Sequence, residues 1–136
     1  MKKLAILLAI GCVGCSATLV RVPAVGPGLD MQQAVRAVGV DNPSGFSFTL
    51  ISQYQQDRAR VVILAEPAFK LVDMTVYATQ IQVHEQAPHI PTQWVHRWGK
   101  LVQAHFLAAC PPRQITYREQ GSSHTLELEV TGGLCF

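Results

Sequence analysis

Apolar and polar residues alternate over much of the chain from Gly45 onward, and this period of two is typical of β-strands with one buried face. A continuous apolar run, Val61–Leu64, instead indicates a strand that is buried on both faces. The pattern predicts four strands before a proline-containing break and two strands after it. They are residues 46–50, 60–65, 69–77 and 80–84, then 115–117 and 126–130.

Two segments follow the period of 3.6 residues that is typical of helices. In Leu29–Val38 the apolar residues have near-helical spacing, and Asp30 stands near the start of the segment. The second helix is predicted to run from Thr92, a residue suited to capping it, to about Ala109, where two prolines follow.

The second helix has an apolar stripe and a polar side. The stripe includes Trp94, Trp98, Leu101 and Val102, and the residues expected to face away are Arg97, Lys100 and Gln103. Strands with one apolar face need a cover, and this helix is the one long amphipathic element. We therefore predict an α+β fold of order α-β4-α-β2, in which a curved antiparallel sheet (a half-barrel) of about six strands is covered by this helix.

The N-terminus has the organisation of a secretory signal. Two lysines precede an uncharged run, Leu4–Gly14, which is shorter than the roughly 20 apolar residues that span a bilayer. Residues 7–17, LLAIGCVGCSA, resemble a bacterial lipobox, in which cleavage leaves a lipidated cysteine at the new N-terminus. Cys12 and Cys15 both fit, and the usual length of the apolar run favours Cys15. We predict a signal peptide at 1–14, a tether at 15–28 and a single domain at 29–136.

The other two cysteines are Cys110 and Cys135. Because an exported protein enters an oxidising compartment, we predict that they form a disulfide, with two buried free thiols as the alternative. The spacing of Cys12 and Cys15 also occurs in redox pairs, but the strand and helix of a thioredoxin-like unit are missing around them.

Charge and motifs argue against several classes of function. Once the two signal lysines are removed, nine basic residues balance nine acidic ones, so the domain has no electrostatic footprint for nucleic acid. Nucleophile and phosphate-binding motifs are absent, and Pro88 disrupts the helix that a zinc motif at His84 and His89 requires. Each histidine is better explained as a satisfied core or rim residue, and Asp73 as an outward-facing or bulged residue. We expect no enzyme, cofactor or metal site.

The lipobox, the element order and residues 60–94, RVVILAEPAFKLVDMTVYATQIQVHEQAPHIPTQW, together resemble the lipoprotein localisation factor superfamily and its small relatives in Gram-negative bacteria. This resemblance implies a half-barrel that holds acyl chains, and the lipoprotein sorting machinery as a partner. In such lipoproteins an aspartate after the lipidated cysteine retains the protein in the inner membrane. Ser16 follows Cys15 and Val13 follows Cys12, so the resemblance implies an anchor in the inner leaflet of the outer membrane, facing the periplasm.

Two functions are consistent with these patterns. The first is non-enzymatic binding of an acyl chain or another hydrophobic, polyene-like ligand between the sheet and the helix. The alternative is a structural or partner-binding envelope lipoprotein, because the same side chains would line a cavity or fill a core equally well. The residues expected to bind a ligand are Phe46, Phe48, Leu50, Ile81, Val83, Trp94, Trp98, Leu126 and Leu128.

The lipobox yields a direct test of the anchor. Cys15→Ser should abolish acyl labelling and leave an unprocessed precursor, because the modified thiol is lost. Cys12→Ser, the matched control, should be processed normally. Metabolic labelling with a radioactive fatty acid measures both, and a block seen only with Cys12→Ser would move the lipidation site by three residues.

Overall fold

One open, curved sheet carries the core of the protein on its inner face. The computed structural model describes residues 18–24, 26, 28–66, 69–108 and 110–133, and these form eight strands and one helix. The strands are β1 (Thr18–Arg21), β2 (Val35–Asn42), β3 (Phe46–Gln55), β4 (Arg58–Ala65), β5 (Phe69–Tyr77), β6 (Gln80–Gln86), β7 (Gln114–Arg118) and β8 (Thr125–Gly132). The helix, α1, spans Thr92–His105.

The strand order in the sheet is β1-β6-β5-β4-β3-β2-β8-β7. Neighbouring strands are antiparallel except for β1, which runs parallel to β6. Every strand predicted from the alternating pattern is present, and the predicted α+β class with a helix over a curved sheet is confirmed. The strand number and the element order differ, because two further segments join the sheet.

The first predicted helix, Leu29–Val38, is wrong. Val35–Asn42 is instead β2, which pairs with β3 on one side and with β8 on the other. Apolar residues in this segment fit both periods, but Val35 and Ala37 point inward while Arg36 and Val38 are exposed, which is strand alternation. A strand in this position gains hydrogen bonds to two neighbours, and β-branched valines favour that conformation.

The predicted tether, residues 15–28, also departs from expectation. Thr18–Arg21 forms β1, in which Leu19 pairs with Ile81 and packs against the core. A strand of only four residues, followed closely by prolines and glycines, is too short to show a period that distinguishes an edge strand from a linker. Its place in the sheet comes from the free edge of β6 rather than from its own composition.

The helix α1 is shorter than predicted. It ends at His105, and Phe106 closes it by donating its backbone N–H to the carbonyl of Val102 at 2.8 Å. The side chain of Phe106 is buried in the core, and the helix ends before it instead of continuing to Ala109 as predicted. At the other end Pro91 is the N-cap, and Thr92 is the first helical residue and makes no capping bond.

A glycine in β2 sets the spacing between the inner side chains. A Cβ added at Gly39 would lie 2.6 Å from Cζ of Phe48 and 2.9 Å from Cγ of Leu128.

Gly39→Ala should therefore lower the free energy of unfolding by about 1–3 kcal/mol, since the aromatic ring must move in a packed core. Gly132→Ala in β8, where no atom lies within 4 Å of the new Cβ, should cost nothing. Urea denaturation measures both, and equal stabilities would contradict the packing described.

Candidate functional site

The nine residues predicted to bind a ligand lie together, on the inner face of the sheet and the facing side of α1. Phe46 and Trp94 are half-buried and pack against the core cluster. The others retain at most 4% exposure, and they are Phe48, Leu50, Ile81, Val83, Trp98, Leu126 and Leu128.

Four of these residues form an aromatic row between β3 and α1. The ring centroids of Phe46 and Trp94 are 5.2 Å apart, those of Trp94 and Trp98 are 6.0 Å apart, and those of Trp98 and Phe48 are 5.5 Å apart. Such tilted and edge-on pairs contribute about 0.5–1.5 kcal/mol each beyond area burial. The row connects the half-exposed rim of the helix–sheet interface to its centre.

The helix lies very close to the sheet at Gly99. A Cβ added there would lie 2.3 Å from Cδ1 of Ile81 in β6, so no larger residue fits without displacement. The predicted ligand-binding side chains therefore occupy the space between α1 and the sheet by packing against one another. Ligand binding by them stays a prediction.

Arg97 does not face away from the sheet as predicted. Only 8% of it is exposed, and its Nε atom has no hydrogen-bond partner among the described residues. The polar side of α1 is partly covered by β7 and the residues after it. There, Nζ of Lys100 lies 3.6 Å from Oε2 of Glu119. Burial raises the pKa of Tyr117 in β7, and the negative charge of Glu119 raises it further. The positive charge of Arg97 lowers this pKa, but not enough to cancel the rise.

A shallow groove of about 490 Å³ crosses the outer face of β7, β8, β2 and β3. Val38 lines it and is 43% exposed, so an apolar side chain stands open to solvent there. Three carboxylates, from Glu66, Glu127 and Glu129, also line the groove. Glu127 accepts a hydrogen bond of 2.8 Å from Nδ2 of Asn42, which orients it. This arrangement suits a partner surface with apolar and basic side chains.

A second cleft, of about 450 Å³, lies on the outer face of β4, β5 and β6 next to Val22 and Pro23. Arg60 in its floor donates two hydrogen bonds to Asp73, Nε to Oδ1 at 2.8 Å and Nη2 to Oδ2 at 2.9 Å. These bonds raise the pKa of Arg60. A register shift between Asp73 and Met74 in the β5–β6 pairing confirms the prediction that Asp73 is outward-facing or bulged.

His84 ties the segment after β1 to the sheet in the same cleft. Its Nδ1 lies 3.0 Å from the carbonyl oxygen of Val22, and its Nε2 lies 2.7 Å from Oγ1 of Thr75. Because a carbonyl only accepts, Nδ1 is the donor, and in the neutral ring Nε2 accepts from the Thr75 hydroxyl. The prediction of a satisfied histidine is confirmed for His84, which sequence reasoning could not have linked to Val22.

A carboxylate, an imidazole and a hydroxyl meet at the turn between β2 and β3. His124 Nδ1 lies 3.1 Å from both carboxylate oxygens of Asp41, and Ser44 Oγ donates to Oδ2 of Asp41 at 2.8 Å. Nucleophilic catalysis needs a hydroxyl bonded to the imidazole, whereas here both groups bind the same carboxylate. The cluster therefore holds the turn in place, and Gly45 N–H donating to the Asp41 carbonyl at 2.7 Å completes it.

The predicted lipidation sites, Cys15 and Cys12, lie outside the described residues, as does Cys135. Cys110 is disulfide-bonded, and its pairing with Cys135 stays a prediction. Gln114 pairs with Glu129 at the start of β7, and Val130 donates to the carbonyl of Arg113, so the segments that carry the two cysteines leave the sheet at the same end.

Two further properties concern the described residues only. No three metal-binding side chains among them lie close enough together to hold an ion. Their helix, α1, lacks the length and apolarity of a membrane-spanning segment.

No protein-family model matches the chain, and neither a curated protein nor a solved structure matches it. The resemblance to the lipoprotein localisation factor superfamily therefore stays a prediction.

The buried Nε atom of Arg97 yields a prediction about stability. Arg97→Met keeps much of the side-chain volume and removes a buried donor that has no hydrogen-bond partner among the described residues, so it should raise the free energy of unfolding by about 1–2 kcal/mol. Lys100→Met, one turn away on the same helix, removes a partly exposed ion pair and should change it by less than about 1 kcal/mol. Urea denaturation compares the two, and a loss for Arg97→Met would show that the guanidinium stabilises the fold.

Proposed function

We propose that the chain is a lipid-anchored lipoprotein of the cell envelope whose domain binds a partner protein and has no enzymatic activity. In this proposal Cys15 carries the lipid and holds the domain at the inner leaflet of the outer membrane, facing the periplasm. The lipoprotein sorting machinery would deliver it there. The domain then acts as a rigid module attached to the bilayer.

The packed space between α1 and the sheet is the observation that carries this proposal. A carrier of acyl chains needs apolar side chains that face an open volume, because burial of the ligand supplies most of the binding free energy. Here Leu50 and Ile81 are fully buried, and the Gly99 backbone lies against Ile81. That packing favours the filled-core function over the ligand-binding function.

The outer groove is the surface that best suits the partner. Val38 supplies an exposed apolar contact, and Glu127 and Glu129 supply negative charge on either side of β8 Leu128. The domain as a whole has balanced charge, so this local excess would orient a partner with basic residues rather than attract cations generally.

Binding of a hydrophobic ligand remains the second candidate, and the aromatic row favours it. Phe46 and Trp94 are half-buried at the rim, and their rings continue inward to Trp98 and Phe48. An acyl or polyene chain would reach the core along this row only if α1 moved away from β3. The free energy of that movement would reduce the affinity.

The two functions predict different responses to Phe48→Ala. In a filled core the substitution should lower the free energy of unfolding by about 3–5 kcal/mol. Phe69→Ala, at a side chain that is 65% exposed, should change it by no more than about 0.5 kcal/mol. The wild-type domain should also show no saturable binding of cis-parinaric acid, a fluorescent polyene fatty acid, when fluorescence is titrated.

Saturable binding of the probe together with a small loss of stability for Phe48→Ala would contradict the filled-core proposal and favour the carrier. Phe48→Leu provides the same comparison if the alanine variant does not fold. It retains most of the apolar volume and should show a smaller loss in the same direction.

A further inference from the structure

The position of β1 determines where the proposed anchor meets the domain. Thr18, its first residue, pairs with Gln80, and its backbone N–H donates to the carbonyl of Thr79 at 3.2 Å. Cys15 stands three residues before Thr18, and three fully extended residues span at most about 11 Å. A lipid on Cys15 and the start of β1 are therefore held within that distance of each other.

We propose that one end of the domain lies against the lipid headgroups of the bilayer, with the strands directed away from the membrane. This proposal rests on the Cys15 anchor proposed above. The end concerned, which we term the anchor-proximal end, consists of the start of β1, the β3–β4 turn at residues 56–57 and the β5–β6 turn at residues 78–79. Cross-strand pairing of Gln55 with Arg58, and of Arg58 with Tyr77, places these turns side by side.

The helix ends near the same place. Nε2 of Gln103, in the last turn of α1, donates to the carbonyl oxygen of Tyr77 at 2.8 Å. Gln53, near the end of β3, accepts the backbone N–H of Asp30 at 2.8 Å, which brings the neighbouring Met31 to this part of the surface. The last turn of α1 and the segment before β2 therefore lie beside the anchor-proximal end.

The chemistry of this surface suits a headgroup layer. Tyr54 is 38% exposed and Met31 is also exposed, and tyrosine is typical of membrane–water interfaces. Asp57 and Arg58 form an ion pair of 3.1 Å, so the turn adds no net charge that an anionic surface would repel. Tyr54 can therefore place its ring among the headgroups and its hydroxyl in water, and the neutral turn beside it does not oppose this contact.

In the proposed orientation the opposite end is too far from the membrane to make the same contact. Phe69 begins β5 and lies eight residues from Tyr77, which is about 26 Å along a strand. The headgroup layer on each side of the hydrocarbon core is roughly 5–8 Å thick. With the strands directed away from the membrane, as proposed, Phe69 therefore lies beyond the combined reach of the three-residue link and the headgroups, although it is the more exposed aromatic residue of the two.

Photo-crosslinking tests this orientation at two exposed aromatic positions, one at the anchor-proximal end of the domain and one at the opposite end. Tyr54 or Phe69 is replaced by p-benzoylphenylalanine in the full-length acylated protein, which is reconstituted into vesicles of phosphatidylethanolamine and phosphatidylglycerol. After irradiation, mass spectrometry should find lipid adducts on the protein with the probe at position 54 and none with the probe at 69. A probe at Asp57 serves as a second anchor-proximal position.

A longer link between Cys15 and β1 shows whether the short link, rather than a general affinity of the domain for lipid, produces the adducts. Insertion of about 20 Gly and Ser residues between Ala17 and Thr18 gives a root-mean-square reach of about 25 Å and should abolish the adducts at position 54. Acylated protein with equal adducts at 54 and 69, or with adducts at 54 that the spacer leaves unchanged, would overturn the orientation alone. Protein that carries no acyl group at all would overturn the anchor, and the orientation with it.

Discussion

The close contact between α1 and β6 is the constraint on which the rest of the structure depends. In the part of the chain that the structure describes, one helix covers the inner face of an eight-stranded sheet. Gly99 lets the helix backbone approach Ile81, and this approach brings Trp98 within ring contact of Phe48 in β3. The flank of the helix is covered as well, since Arg97 is buried there and its Nε atom has no hydrogen-bond partner among the described residues.

Much of the fold could be predicted from the period of the apolar residues. Five strands and the long helix have regularly spaced apolar residues, as one buried face requires, and β4 is identified by its continuous apolar run. The structure buries only alternate residues of β4, so the predicted burial of both its faces is wrong. The errors fall where a short segment fits two periods or none. Val35 and Val38 are compatible with a helix and a strand, and Thr18–Arg21 is too short, at four residues, to show either period. In both cases the deciding interaction is a hydrogen-bonded neighbour distant in sequence, β8 for β2 and β6 for β1.

The candidate sites show the same limit. Alternation correctly placed the seven predicted strand residues on one face of the sheet, and the helical period placed Trp94 and Trp98 opposite them. The distance between that face and the helix is a property of packing, so a cavity wall and a filled core give the same pattern. The contacts on the outer face of the sheet could not be predicted from the sequence for another reason. Arg60 meets Asp73, and His84 meets Val22, only through the register of separate strands, and no spacing along the chain encodes that register. The outward-facing or bulged position predicted for Asp73 did follow from the sequence, because a carboxylate is costly to bury in an apolar core.

The strand order has a consequence for how the chain folds. β2 lies between β3, its immediate neighbour in sequence, and β8, which is made last, and β1 pairs with β6 instead of with any strand near it. Contacts between residues so far apart in sequence must close large loops, which makes the folding transition slow. A chain that is still emerging therefore leaves one side of β2 and the whole of β1 without partners. The topology therefore postpones completion of the sheet until β1, β6 and β8 are all available to pair.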